Sequence, residues 1–319
     1  MDKPTEHTIE TAGAAPRRSK RARMGACCKK FWWAWLIFVI IAIGIAAVIL
    51  IFAIIPKIAQ DKVNEADLTI HGLEIRQATP DSYKLSMDSS IHTGYGIGSK
   101  ARIEPMTASL YIDSKKKPFL KVPVGEVHGK GDVPVVQEDY PVTIDDMDAM
   151  DQFVKGLMDN STINFKLSGR SKLWLGKINT MINYNEDIEL KGLNKLEGMV
   201  IKAYDILSKQ ADGSNMGGKV LIPNPTVFTI EMGNVGLKIG VSGKHAGIGY
   251  LPNLVLTPGN NLYDFRANIS DLNVMIGALT AGTPLTIGSN GTMVNGEKIE
   301  WLSKPLESMD VLVPIDVSH

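Results

Sequence analysis

The chain has 319 residues, with 34 basic and 34 acidic side chains and a formal net charge of zero; 44% of it is hydrophobic and 21% charged. These proportions are those of a folded globular chain, and the charge balance excludes the basic footprint of a nucleic-acid partner. Both cysteines, Cys27 and Cys28, fall in the first thirty residues, so residues 57–319 form no disulfide and depend on packing for their stability.

In chain order, residues 1–30 show no apolar period and are predicted to be a disordered basic cytosolic tail. They carry eight basic residues against three acids, a net of +5. The cluster RRSKRAR at 17–23 has the composition of a nuclear-localisation or nucleic-acid patch, but beside an apolar run it acts as an orientation signal. Cys27 and Cys28 sit where reversible palmitoylation occurs, the alternative being two unmodified juxtamembrane thiols.

Phe31 to Ile55 is an apolar run without a charge, predicted to be a transmembrane helix in the lipid bilayer. At about 1.5 Å per residue, such a helix rises roughly 37 Å, enough for a hydrocarbon core of about 30 Å. Trp32, Trp33 and Trp35 belong at the headgroup boundary, and Pro56 and Lys57 close the other end. The run is too long for a cleaved signal peptide, and Ile54 and Ile55 stand where small residues would precede a cut. Basic residues stay cytosolic, so the expected arrangement is a type II signal anchor with residues 57–319 lumenal or extracellular.

Residues 56–67 have a loose helical spacing and are expected to form a stalk. From Leu68 the period becomes two: Leu68 and Ile70, then Leu73 and Ile75, then Tyr83, Leu85 and Met87, then Ala108, Leu110 and Ile112. That alternation predicts strands with one face on a core, separated by turns at Gly94, Gly96 and Gly98 and at SKKKPF, 114–119. Within this β region, Thr143–Asp159 is predicted to be an amphipathic helix capped by Thr143, with Met147, Met150, Phe153, Val154 and Leu157 on its apolar face. The acids Asp145, Asp146, Asp148 and Asp151 lack the order of a calcium loop and fit a solvated helix start.

The second half echoes the first. PDSYKLSMDSSIHTGYGIGS at 80–99 parallels PTVFTIEMGNVGLKIGVSG at 225–243, and residues 145–176 parallel 270–302 as helix, strand and hairpin. Two tandem units of mainly antiparallel β structure are therefore expected at 68–192 and 219–319, each with one amphipathic helix. Between them, at 193–218, Leu193, Leu196, Met199, Val200, Tyr204 and Leu207 fall at helical spacing and predict a connecting helix and linker.

The stretch from Val220 to Gly249, with Ile222, Pro223, Asn224, Pro225 and Thr226 leading into two alternating strands, resembles the water-stress hypersensitive module of group 2 late-embryogenesis-abundant (LEA2) proteins. The first Asn of that module's usual doublet is absent. With the span and the basic tail, residues 20–319 are similar to a family of fungal membrane proteins that contain the DUF3712 domain and are related to the Tag1 vacuolar proteins. The resemblance implies an antiparallel β-sandwich for each tandem unit and a vacuole membrane, with plasma membrane or another endomembrane as the alternative. It implies no catalytic residue and no cofactor.

Three sequons occur beyond the span, at Asn160, Asn268 and Asn290, of which Asn160 and Asn290 are expected in turns. The six histidines, His7, His71, His92, His128, His245 and His319, lack metal-ligand spacing. GYGIGS at 94–99 leads into a strand rather than a helix, so it is a glycine turn and not a phosphate loop. The expected function is non-catalytic binding or scaffolding toward a protein or lipid. The alternatives are a lumenal hydrolase, which needs convergent titratable groups, and a lipid-binding or transfer protein, which needs an apolar groove between sheets.

Overall fold

The computed structural model describes residues 32–93, 101–112, 117–128 and 131–316. Cys27, Cys28, His7, His319, the glycine turn at 94–99 and Ser114–Lys116 lie outside them. The chain forms two compact units, Met1–Ile55 and Pro56–His319.

In the first unit the described chain is helical, α1 (Trp32–Ile49) followed by a π-helical turn at Leu50–Ile54. Among the described residues one helix is long and apolar enough to cross a membrane, running from Trp35 to Asn64. From Trp35 to Ile54 its large apolar side chains are exposed, Phe38 by 66% and Phe52 by 76%. A helix apolar on every side has lipid as its favourable solvent.

The second unit begins within α2 (Ile55–Asn64), which bears Ala59 and Val63 in the core. The expected stalk is thus helical and packed by one face. Strand β1 (Asp67–Arg76) follows and pairs antiparallel with β2 (Ser82–Thr93), which pairs with β7 (Gly131–Thr143). A register shift between Ile70 and Gly72 explains why the apolar alternation changes phase between Ile70 and Leu73: the bulge resets which residues face inward.

A smaller sheet is built from β3 (Ala101–Ile103), β4 (Met106–Tyr111), β5 (Leu120–Val124), β6 (Val127–His128), β8 (Thr162–Leu175) and β9 (Ile178–Lys191). In it β8 pairs with β9 along fourteen residues, from Thr162↔Lys191 to Leu175↔Ile178. Helix α3 (Met147–Asp159) precedes β8 and buries Met150, Phe153, Val154 and Leu157 as its spacing predicts, but Met147, expected on the same face, is exposed in the first turn. Its start differs: Thr143 ends β7, and Asp146 is the cap, its carboxylate accepting from the Ala149 amide at 3.1 Å. Thr143 is held in the β2 ladder opposite Ser82, so the later carboxylate takes the capping role.

The chain from β10 (Val200–Ile206) onward adds β11 (Met216–Asn224), β12 (Phe228–Val241), β13 (Lys244–Leu256), β14 (Gly259–Ile269), β15 (Leu285–Val294), β16 (Glu297–Lys298) and β17 (Asp310–Val313). The larger sheet runs β10-β11-β14-β13-β12-β1-β2-β7, with β15 also on β12 and β17 on β15. Strand β12 is shared: Phe228–Ile230 pair in parallel with Leu73–Ile75 of β1, and Asn234–Val241 pair with β15. One strand from each expected tandem unit therefore meets in a common ladder. Beyond β17, Ile315 bridges Ile201 of β10 in parallel, bringing the sheet round on itself. Helix α4 (Leu272–Thr280) starts at Asp271, whose carboxylate accepts from the Asn273 and Val274 amides. This half also holds a further short helix, α5 (Glu300–Glu307), where Trp301 is 1% exposed and donates to the Thr79 carbonyl at 2.9 Å.

The connecting helix expected at 193–210 does not form. The chain makes a single turn of 3₁₀ helix at Asn194–Leu196 and then β10. Asn194, Lys195 and Leu196 have φ of 47°, 53° and 57°, and Gly198 has 88°. A left-handed backbone cannot propagate an α-helix, and the residues beyond it pair with β11 from Val200↔Leu221 to Ile206↔Met216. Tertiary pairing overrides the helical spacing.

Candidate functional site: an apolar crevice between the sheets

The inward residues of β1 and β2 face those of β4, β5, β8 and β9 across a crevice with a cavity volume of about 60 Å³ that opens to solvent. Its wall is almost wholly aliphatic and aromatic. The wall includes a ring cluster: Phe119 stacks on Phe153 at 4.4 Å, and Phe165 stands edge-on to both. Phe228 of β12 adds a further edge contact to Phe153 at 6.0 Å. Elsewhere Leu68, Ile70, Met87, Met106 and Val135 line the crevice while only half-buried. Leu68 is the fourth residue after α2 ends at Asn64.

Two further apolar spaces, of about 60 Å³ and 40 Å³, share Met199, Leu237, Leu251 and Ile287, and the first also reaches Met158 of α3. Their polar neighbour Ser289 is satisfied, since its hydroxyl donates to the Gly236 carbonyl at 3.0 Å and accepts from the Gly291 amide at 2.9 Å. The first crevice differs. Ser89 in its wall is satisfied by the Val135 carbonyl at 2.9 Å, but the Tyr184 hydroxyl has no partner. It is the one buried side-chain oxygen or nitrogen so left among the described residues, and Tyr184 is 7% exposed. A buried hydroxyl without a hydrogen bond costs about 1–3 kcal/mol.

Tyr184 stands there because β9 alternates: Ile182, Tyr184, Glu186 and Ile188 share the inward face. Helix α2 fixes the strand, as Gln60 donates to the Asn183 carbonyl at 2.6 Å and accepts from its amide at 2.9 Å. Opposite Tyr184 in the β8 ladder is Gly169, where a Cβ would come within 3.0 Å of the Met106 sulfur. Burial, then the carboxylates of Glu186 and Asp67, push the phenol well above its ordinary pKa, so it remains an O–H donor. Burial, then Asp67 and Asp187, also raise Glu186.

The residues singled out by sequence lie apart from this crevice. Asn160 is exposed at the C-terminal cap of α3, where its backbone amide donates to Gly156. Asn268 is exposed in β14 opposite Ile248. Asn290 is exposed too, but in β15 rather than in a turn, beside the register shift between Gly236 and Leu237. The chain passes through that bulge with Gly291 at φ 92°, so the glycine that suggests a turn serves a strand irregularity. Thr292 of the same sequon is fully buried, its hydroxyl bonded to the Met232 carbonyl. Among the described histidines, His71 meets Ser90, His92 meets Asp132 and His128 meets Glu126. His245 is exposed in β13. Among the described residues no three His, Cys, Asp or Glu converge as a metal site.

Sequence reading missed the crevice and Tyr184. Inward apolar residues look alike whether they touch or leave a gap. The available signal was INYNEDI at 182–188, where Tyr184 and Glu186 fall in phase with Ile182 and Ile188 on a core face.

Residues 117–239, from before β5 into β12, match the model of a family described as "Protein of unknown function (DUF3712)". No curated protein matches the chain in sequence. Among solved structures, an Arabidopsis thaliana protein determined in solution aligns at 12% identity over 39% of this chain and 80% of that one, with a TM-score of 0.26. A crystal structure of a protein from Archaeoglobus fulgidus aligns at 4% identity over 40% and 94%, with a TM-score of 0.24. A DUF4785 family protein from Legionella pneumophila aligns at 11% identity over 80% and 57%, with a TM-score of 0.23.

Proposed function

We propose that the chain is a membrane-anchored, non-catalytic binding protein whose inter-sheet crevice receives the hydrocarbon chain of a lipid. The observation that carries this reading is the crevice itself, an apolar space walled by two sheets and lined by clustered aromatic rings and by half-buried Leu, Ile, Met and Val. Such a wall offers a hydrocarbon chain about 25 cal/mol for each Å² removed from water and offers a polar substrate almost nothing.

The rest of the reading comes from sequence. The span anchors the protein in the bilayer as a type II membrane protein, the basic tail keeps the N-terminus cytosolic, and residues 57–319 lie in a lumen where Asn160, Asn268 and Asn290 receive glycans. The DUF3712 match over residues 117–239 and the LEA2-like motif at Asn224 lend support to a relation with the Tag1-like fungal proteins and to a site of action at the vacuole membrane. Protease added to sealed organelles then trims the tail and spares residues 57–319, whereas digestion of the second unit reverses the topology.

The binding claim is tested on the full chain extracted from its membrane. Organic extraction followed by mass spectrometry yields stoichiometric lipid from the wild type and much less from Ala108→Trp, which places an indole in the crevice from a wall residue that is 2% exposed. Equal lipid from both proteins overturns the reading.

A further inference from the structure

We propose that Tyr184 is the polar anchor of the crevice, and that the ligand it holds ends in a neutral hydroxyl or ester carbonyl, as in a sterol, a fatty alcohol or a glyceride, rather than in a carboxylate or phosphate. This rests on the crevice taking a hydrocarbon chain and adds the chemistry of that chain's polar end.

Three observations meet at this point. Tyr184 lines the crevice, and its hydroxyl is buried with no partner, although buried polar groups are nearly always paired. A ligand oxygen that accepts from it satisfies the group. Next, two carboxylates act on the phenol, those of Glu186 and Asp67, while Asp187, which acts on Glu186, is itself 4.0 Å from the Lys166 ammonium. An anionic headgroup brought here meets like charge in a partly desolvated site, where repulsion is strong. Finally, the remaining wall offers no second charge-bearing donor, since it is apolar apart from Tyr83 and Ser89, and Ser89 is already committed to the Val135 carbonyl. Recognition of a carboxylate or phosphate needs several donors or a cation; one phenol suits one neutral oxygen.

The test uses the full chain in nanodiscs and four probes with the same sixteen-carbon chain: hexadecane, hexadecan-1-ol, methyl hexadecanoate and hexadecanoate, each radiolabelled, at neutral pH. Wild-type protein binds the alcohol and the ester more tightly than the alkane, and hexadecanoate more weakly than either. Tyr184→Phe keeps the ring and weakens the alcohol and the ester about five- to tenfold, the worth of one hydrogen bond, leaving hexadecane unchanged. Glu186→Gln strengthens hexadecanoate selectively. The anchor is refuted if Tyr184→Phe leaves alcohol and ester affinities intact, and the neutral-headgroup assignment is refuted if hexadecanoate binds the wild type as well as the alcohol does. Failure of all four probes, hexadecane included, overturns the lipid-binding reading on which the anchor rests. Retained hexadecane binding with no effect of Tyr184→Phe overturns the anchor alone.

Discussion

The turn at Asn224 and the crevice wall at Tyr184 each bury a polar side chain on the inner side of a sheet, and they treat it in opposite ways. Asn224 is 1% exposed and saturated: its amide donates to the Phe228 carbonyl at 2.8 Å, and its oxygen accepts from the Thr226 amide and hydroxyl at 3.0 and 2.6 Å. Thr226 passes the chain of bonds on to the Phe228 amide. Tyr184, nearly as buried, makes none. A side chain whose bonds are all made within the chain serves the fold, whereas one left without a partner at comparable burial calls for an explanation, which the proposed ligand supplies.

Substitutions break this comparison in a graded way. Asn224→Ala is the most damaging, since it strands buried groups of Thr226 and Phe228, and it lowers unfolding free energy by about 3 kcal/mol. Urea denaturation of residues 57–319 in the full chain measures this, and a loss under about 1 kcal/mol would remove the structural role assigned to Asn224. Ala108→Trp comes next. In a filled core an indole at this position is overpacked and costs about 1–3 kcal/mol, whereas an open crevice accepts it at the low end of that range while lipid is excluded. Tyr184→Phe has the opposite sign to Asn224→Ala. Removing a donor that has no partner leaves stability unchanged or raises it by about 1 kcal/mol in the ligand-free protein, read as the urea midpoint.

The smallest effect is Glu186→Gln, and it depends on pH. Burial first, then Asp67 and Asp187, raise the folded carboxyl above its unfolded value, so its ionised form opposes folding at neutral pH. The substitution therefore stabilises at neutral pH, and the gain vanishes as pH falls through the raised folded pKa and the native Glu186 becomes neutral. Asp212 has the reverse sign. The Ser214 hydroxyl above all, then Tyr250, the Ser214 amide and Arg266, hold its carboxylate below the usual range. Its contribution is full at neutral pH and fades on acidification below about 4, near the unfolded carboxylate value. Thermal melts of wild type, Glu186→Gln and Asp212→Asn across that interval separate the two.

Much of the architecture was legible because its signals are local. An uncharged run from Phe31 to Ile55, period-two alternation from Leu68 and the apolar face of Met150, Phe153, Val154 and Leu157 each follow from chain geometry. Helix starts were less legible: a capping hydroxyl at Thr143 and a capping carboxylate at Asp146 look equally suitable until the β2 ladder claims the first. Segment 193–210 failed for a related reason. Its helical spacing was real, but the left-handed run at Asn194–Leu196 and the open edge of β11 decided its state, and neither is local to the spacing. The crevice was hidden because alternation says which residues point inward and not whether the facing sheet reaches them. Tyr184 was visible only as an aromatic in phase with Ile182 and Ile188, a pattern identical to that of a packed core residue.

Location of the bound chain tests the account most directly. A fatty alcohol bearing a photoactivatable diazirine at its methyl end is loaded onto the full-length protein in nanodiscs and irradiated, and the labelled peptides are mapped. The account predicts label on the crevice wall, with the cluster of Phe119, Phe153 and Phe165 among the labelled residues, and loss of that label in Ala108→Trp. Label confined to residues 32–55, or unchanged by the indole, would contradict it.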